Sequence, residues 1–201
     1  MGDLAEGVAA ARACTLCADH LPLGPRPVLR ARPSARLLII GQAPGTKVHA
    51  SGIPWTDPSG DRLRAWLAMD RDTFYDEDRV AIIPMGFCYP GRLPRGGDAP
   101  PRPECAPRWH PPLLAALPNI RLTLLVGQYA QARYLARRRA ATLGETVRAF
   151  AAHLDDGLLP LPHPSWRNTA WLKKNPWFEA DLLPVLRARV AAVMAREPRP
   201  S

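Results

Sequence analysis

Four cysteines, one histidine and one glycine-flanked loop are the residues of this chain whose types and spacing could do chemistry. Cys14 and Cys17 form a CxxC pair, Cys88 follows an apolar run, and Cys105 comes after a proline-rich stretch. Four thiolates around one centre suit zinc or an iron–sulfur cluster, and spacing alone does not choose between them. A disulfide pair fits a cytoplasmic chain poorly. Unrelated buried thiols would leave a CxxC followed by two more cysteines beside neighbouring loops unexplained. His163 stands between Pro162 and Pro164, and is followed by Ser165, Trp166, Arg167 and Asn168, then by Trp171, Lys173, Lys174 and Asn175. Apolar wedges beside phosphate-directed cations and amides are what a protein needs to enter a duplex and hold its backbone. The plainer reading of that stretch is a helix-entry loop packing two tryptophans. His20, His49, His110 and His153 lack such company and read as ordinary satisfied side chains. The third candidate is Gly41-Gln42-Ala43-Pro44-Gly45. Its glycines permit sharp turning and close approach to a ligand, and its proline stiffens the loop.

These groups need elements to carry them. Leu37 to Ile40 is a continuous apolar run, as expected of a strand buried on both faces of a parallel sheet. The 41–45 loop then leaves its carboxyl end, where ligands of open α/β sheets bind. Trp55 follows near the same rim, and Asp57-Pro58-Ser59-Gly60 opens a helix over 59–68 with Leu63, Trp66 and Leu67 on one face. Further strands are expected at 80–84, 120–126 and 158–161, the last delivering His163. Helices are expected over 4–13, 109–117, 128–139, 143–152 and 176–196. The 128–139 helix would bury Tyr129, Ala132, Leu135 and Ala136. Strands alternating with helices predict a three-layer α/β/α sandwich with a central, mostly parallel four-stranded sheet. One domain over 1–201 is expected at this length, without internal repeats.

Composition narrows the function. Lys and Arg number 27 against 18 Asp and Glu, a net charge of +9 that favours a polyanionic partner such as nucleic acid. Part of that excess, Arg137 to Arg139, reads as a solvated helix end. No apolar run approaches the ~20 residues that span a bilayer, and the first residues lack a signal-peptide pattern, so a cytoplasmic protein without a membrane partner is expected. The 24 prolines cluster before the first strand and around 89–112, which predicts stiff, ordered surface loops. Gly41 to Lys47 lacks the gap and the Gly-Lys-Thr order of a phosphate loop, and no GxSxG elbow of a serine hydrolase is present.

Taken together, GQAPG after an apolar strand, the aromatic of IPW, the Ser-Gly helix start, a cysteine after the next strand and HPS near the C-terminus resemble the uracil-DNA glycosylase superfamily. The order of Cys14, Cys17, Cys88 and Cys105 resembles its iron–sulfur branch, often called family 4. The resemblance implies a monomeric base-excision enzyme acting on DNA, with a 4Fe-4S cluster on the four cysteines and zinc as the alternative. It also implies roles: His163 hydrogen-bonding the departing base, and Gln42 positioning the attacking water. Gly41, Ala43 and Gly45 would hold the base through the loop backbone, and Trp55 would stand where the family stacks a phenylalanine. Ser165, Trp166, Arg167 and Asn168 would lie against DNA. Gln42 stands where that branch shows glutamate, and Pro84 where it carries the asparagine that reads the uracil edge. A non-catalytic iron–sulfur DNA-binding protein of the same fold is the alternative.

Overall fold

The computed structural model describes residues 3–195. In chain order the regular elements are α1 (Leu4–Arg12), β1 (Leu37–Ile40), α2 (Thr46–Ser51), α3 (Pro58–Leu67), α4 (Arg71–Tyr75) and β2 (Val80–Ile82). There follow α5 (Cys105–Ala115), β3 (Leu122–Val126), α6 (Gln128–Leu135), α7 (Leu143–Arg148), β4 (Leu158–Leu161), α8 (Thr169–Lys174) and α9 (Leu183–Ala195). The four strands form one sheet in the order β2-β1-β3-β4, and every pairing is parallel.

The strands are apolar apart from Thr123 of β3 because the sheet is covered on both faces. Leu37 and Ile39 point into a core made with Leu63, Trp66 and Phe74 from α3 and α4, Phe178, and Leu186 from α9. Leu38 and Ile40 point the other way, against Leu4 and Val8 of α1, Leu113 of α5 and Ala130 of α6. The result is the three-layer α/β/α sandwich. Pro160 lies inside β4, which its missing N–H allows because β4 is an edge strand.

Several boundaries depart from expectation. The helix expected over 109–117 starts earlier, at Cys105, and runs through Pro111 and Pro112, with Ala106, His110 and Leu113 inward. Cys105 is therefore the first residue of a helix and not part of an irregular loop. The helix over 128–139 stops at Leu135, and Ala136–Arg138 is a 3-10 turn. Its buried residues are Ala130, Gln131 and Leu135, so Ala132 and Ala136 face outward instead. The 143–152 helix ends at Arg148, followed by a 3-10 segment, Phe150–Asp156. The last helix enters through a π turn, Phe178–Leu182, and its expected final residue, Arg196, lies outside the described residues. No helix among the described residues is long and apolar enough to cross a membrane.

Candidate active site

The carboxyl ends of all four strands open onto one groove of about 1040 Å3, lined by the 41–45 loop, Trp55, Pro84, Gly127, and the segment from His163 to Asn168. Its floor is set by close approach. The indole of Trp55 lies across Gly41, where a Cβ would sit 2.7 Å from its Cζ2. Trp55 itself has a φ of 59°, an outlier for a bulky side chain. Surrounding groups hold it there: the Tyr75 hydroxyl lies between the Pro54 and Trp55 carbonyls, at 2.8 and 3.1 Å, and the buried Arg64 donates Nη1 to the Trp55 oxygen at 3.3 Å. Behind it Gly60 leaves no room for a side chain, since a Cβ would lie 1.8 Å from that oxygen. Asp57 caps α3 by accepting the Gly60 N–H at 3.1 Å, and Pro58 fits the first turn.

His163 stands over this floor, its ring centroid 5.6 Å from that of Trp55 with the planes at 33°. Three bonds fix its loop. Ser165 N–H donates to His163 Nδ1 at 3.2 Å, Asn168 Nδ2 donates to the His163 carbonyl at 2.7 Å, and Arg62 Nη1 donates to the Ser165 carbonyl at 3.0 Å. The buried amide of Gln131 donates to the carbonyls of both Leu125 and Leu161, at 3.2 and 2.8 Å, and so ties β3 to β4 just before the histidine. Because Nδ1 accepts, the neutral ring carries its proton on Nε2. Burial pushes the His163 pKa down, against an opposing pull from Asp57, so the neutral form is favoured.

The two departures also have settled surroundings. Gln42 lines the groove, and its backbone carbonyl accepts the Gly86 N–H at 2.9 Å. Pro84 presents its ring to the groove while its carbonyl accepts from His110 Nε2 at 2.9 Å, and His110 Nδ1 meets the Tyr134 hydroxyl. Burial lowers the His110 pKa to about 4. The satisfied character expected for His110 and His153 holds, the latter through Arg138, whereas His49 Nδ1 finds no partner among the described residues.

A model of the uracil-DNA glycosylase superfamily matches residues 30–187. The chain belongs to the uracil-DNA glycosylase superfamily. The matched span contains the groove residues named above as well as Cys88 and Cys105, and leaves Cys14 and Cys17 before its start. In this uracil-DNA glycosylase superfamily member all four cysteines line a second, small pocket of about 30 Å3, together with Phe87 and Trp109. None is in a disulfide. Among the described residues, no group of three or more His, Cys, Asp or Glu side chains is disposed to hold a metal ion. Burial pushes the Cys105 thiol up to about 12 and raises Cys17 and Cys88 as well. Bound metal would invert that balance, because the ligand is the thiolate.

Trp166 is 75% exposed, and the Arg167 guanidinium lies 5.3 Å over its ring. Asn168 is turned inward to brace His163. Sequence reasoning missed Arg62, Gln131, Tyr75 and Arg64, which act on the site through other residues. Only the polar character of Gln131 and Arg64 at buried helix positions could have flagged two of them.

Proposed function

We propose that this protein is a DNA base-excision glycosylase that hydrolyses the N-glycosidic bond of uracil or another deaminated base. The observation that carries the reading is His163: a ring with Nδ1 occupied by the Ser165 N–H, its Nε2–H free to donate, beside an aromatic floor. Breaking the bond leaves negative charge on the base and positive charge on the sugar, so catalysis consists of stabilising both in a preorganised site. A base drawn from the stack would lie on Trp55. His163 Nε2–H would donate to its carbonyl oxygen as charge builds, with N–H groups of the 41–45 loop holding the same base. Gln42 would orient the attacking water, although an amide cannot act as a carboxylate base. Asp57 and Asp98, which line the groove, would favour the cationic sugar. Ser165, Trp166 and Arg167 would meet the DNA.

We read the four cysteines, which border one pocket, as the ligands of an iron–sulfur cluster, with zinc as the alternative. The cluster's contribution would be structural, fastening the segment after α1, the exit of β2 and the start of α5. The neutral Gln42 and the donor-free Pro84 favour a second reading, a DNA-binding protein of this fold without base release.

The test is base release from oligonucleotides carrying one uracil, hypoxanthine or xanthine, using anaerobically purified protein. We expect abasic-site formation on at least one of them, reduced about 100-fold or more in His163→Ala with DNA binding retained, the scale of losing one preorganised donor. Release unaffected by the substitution would sink the assignment. Tight, salt-sensitive binding without any release would establish the second reading.

A further inference from the structure

We propose that the hairpin of residues 91–99 is a DNA-inserting element, with Leu93 entering duplex DNA from the rim of the groove. The proposal rests on the reading that this protein acts on a base within DNA. Of the large apolar side chains exposed on the described surface, Leu93 and Trp166 line the groove. Leu93 is 46% exposed and stands in the sequence Arg92-Leu93-Pro94-Arg95. It follows β2, whereas Trp166 follows β4, and those strands are the two edges of the sheet. Both line the one groove, so each can meet DNA lying in it.

The hairpin is built to hold its tip in place. Arg92 and Asp98 form an antiparallel bridge, Leu93 N–H donates to the Gly97 carbonyl at 2.9 Å, Gly96 N–H donates to the Leu93 carbonyl at 2.9 Å, and Ala99 N–H donates to the Gly91 carbonyl at 2.8 Å. Gly97 is pressed against the Arg167 guanidinium, 3.3 Å from where a Cβ would sit, so the rims brace each other. A tip already ordered loses little entropy on binding. Arg92, Arg95 and Arg167 form no close ion pair among the described residues, although the Asp98 carboxylate feels both Arg92 and Arg167; their guanidinium groups can turn to phosphates beside the inserted leucine.

An apolar tip between cations fits a duplex. Extruding a base opens a gap in one strand and leaves its former partner exposed in the other. An inserted apolar side chain offsets the lost stacking. A single strand has no opposing base to hold apart, so Leu93 would contribute mainly on duplex substrate.

The experiment compares the wild type, Leu93→Ala, Leu93→Met and Trp166→Ala on one deaminated base placed in duplex and in single-stranded DNA. 2-Aminopurine beside the lesion reports unstacking independently of chemistry. The loss in Leu93→Ala should be roughly tenfold greater on duplex than on single strand, the scale of one buried leucine, with the fluorescence rise reduced and both restored by Leu93→Met. Equal losses on both substrates, or an unchanged fluorescence rise, would overturn the inserting role. Leu93-dependent fluorescence without base release would support the hairpin while removing the glycosylase. Base release with Leu93-independent fluorescence would do the reverse.

Discussion

His163 illustrates how one hydrogen bond selects a chemical role. The Ser165 N–H can donate only to an unprotonated Nδ1, so the available proton is on Nε2, and burial disfavours a second one. Protonation would break the Ser165 bond and abolish the distinction between the two nitrogens. Base release should therefore fall at acid pH, with the falling limb below the ordinary histidine value of about 6.5. Asp57 pulls the pKa upward, so Asp57→Asn, which keeps the helix cap, should move that limb to lower pH. A pH–rate profile of the two proteins checks this, and a shift toward higher pH would contradict the electrostatic account. Gln42 is a simpler case: its type excludes proton abstraction by a carboxylate, whatever its position.

At the level of elements, the site is a set of strand ends joined to turns that only particular neighbours make possible. Trp55 keeps its left-handed conformation because α3 and α4 supply Arg64 and Tyr75 to its carbonyl and Gly60 leaves space behind it. Gly60→Ala forces the backbone of Trp55 to move. Overpacking of this kind costs about 1–3 kcal/mol, and thermal melting should show a corresponding drop, with altered tryptophan fluorescence from the displaced indole. Melting and emission identical to wild type would mean that this contact does not hold Trp55. Gln131 does comparable work from α6 by joining the ends of β3 and β4.

Across the whole molecule, two apolar cores on the faces of one parallel sheet carry the fold, and the cysteine pocket lies to the side of the groove. The pocket brings together Cys14 and Cys17 after α1, Cys88 beyond β2 and Cys105 at the start of α5. A cluster there would close long loops, which is where a cross-link gains most. Cys88→Ser should then bleach the visible absorbance of anaerobically purified protein, lower its iron content and speed proteolysis before α5, while the sheet stays folded. Colour and protease resistance equal to wild type would remove the cluster from the account. The net charge of +9 belongs to the same scale, since a field of that sign draws in DNA before any contact forms.

The chain's local chemistry determined a good deal by itself. Apolar runs at Leu37–Ile40 and Leu158–Leu161 read as strands because strands covered on both faces are near-continuously apolar. The loop and the histidine that follow them are at strand ends for the same reason. Asp57 and Pro58 announced the start of α3 through capping chemistry confined to one turn. Only the tertiary structure decided the strand order β2-β1-β3-β4 and brought Leu93 and Trp166 to the same groove. It also decided the tautomer of His163, the strained turn at Trp55, the start of α5 at Cys105 and the inward face of α6. Each depends on partners distant in the chain, whose packing outweighs the weak preferences of a short segment.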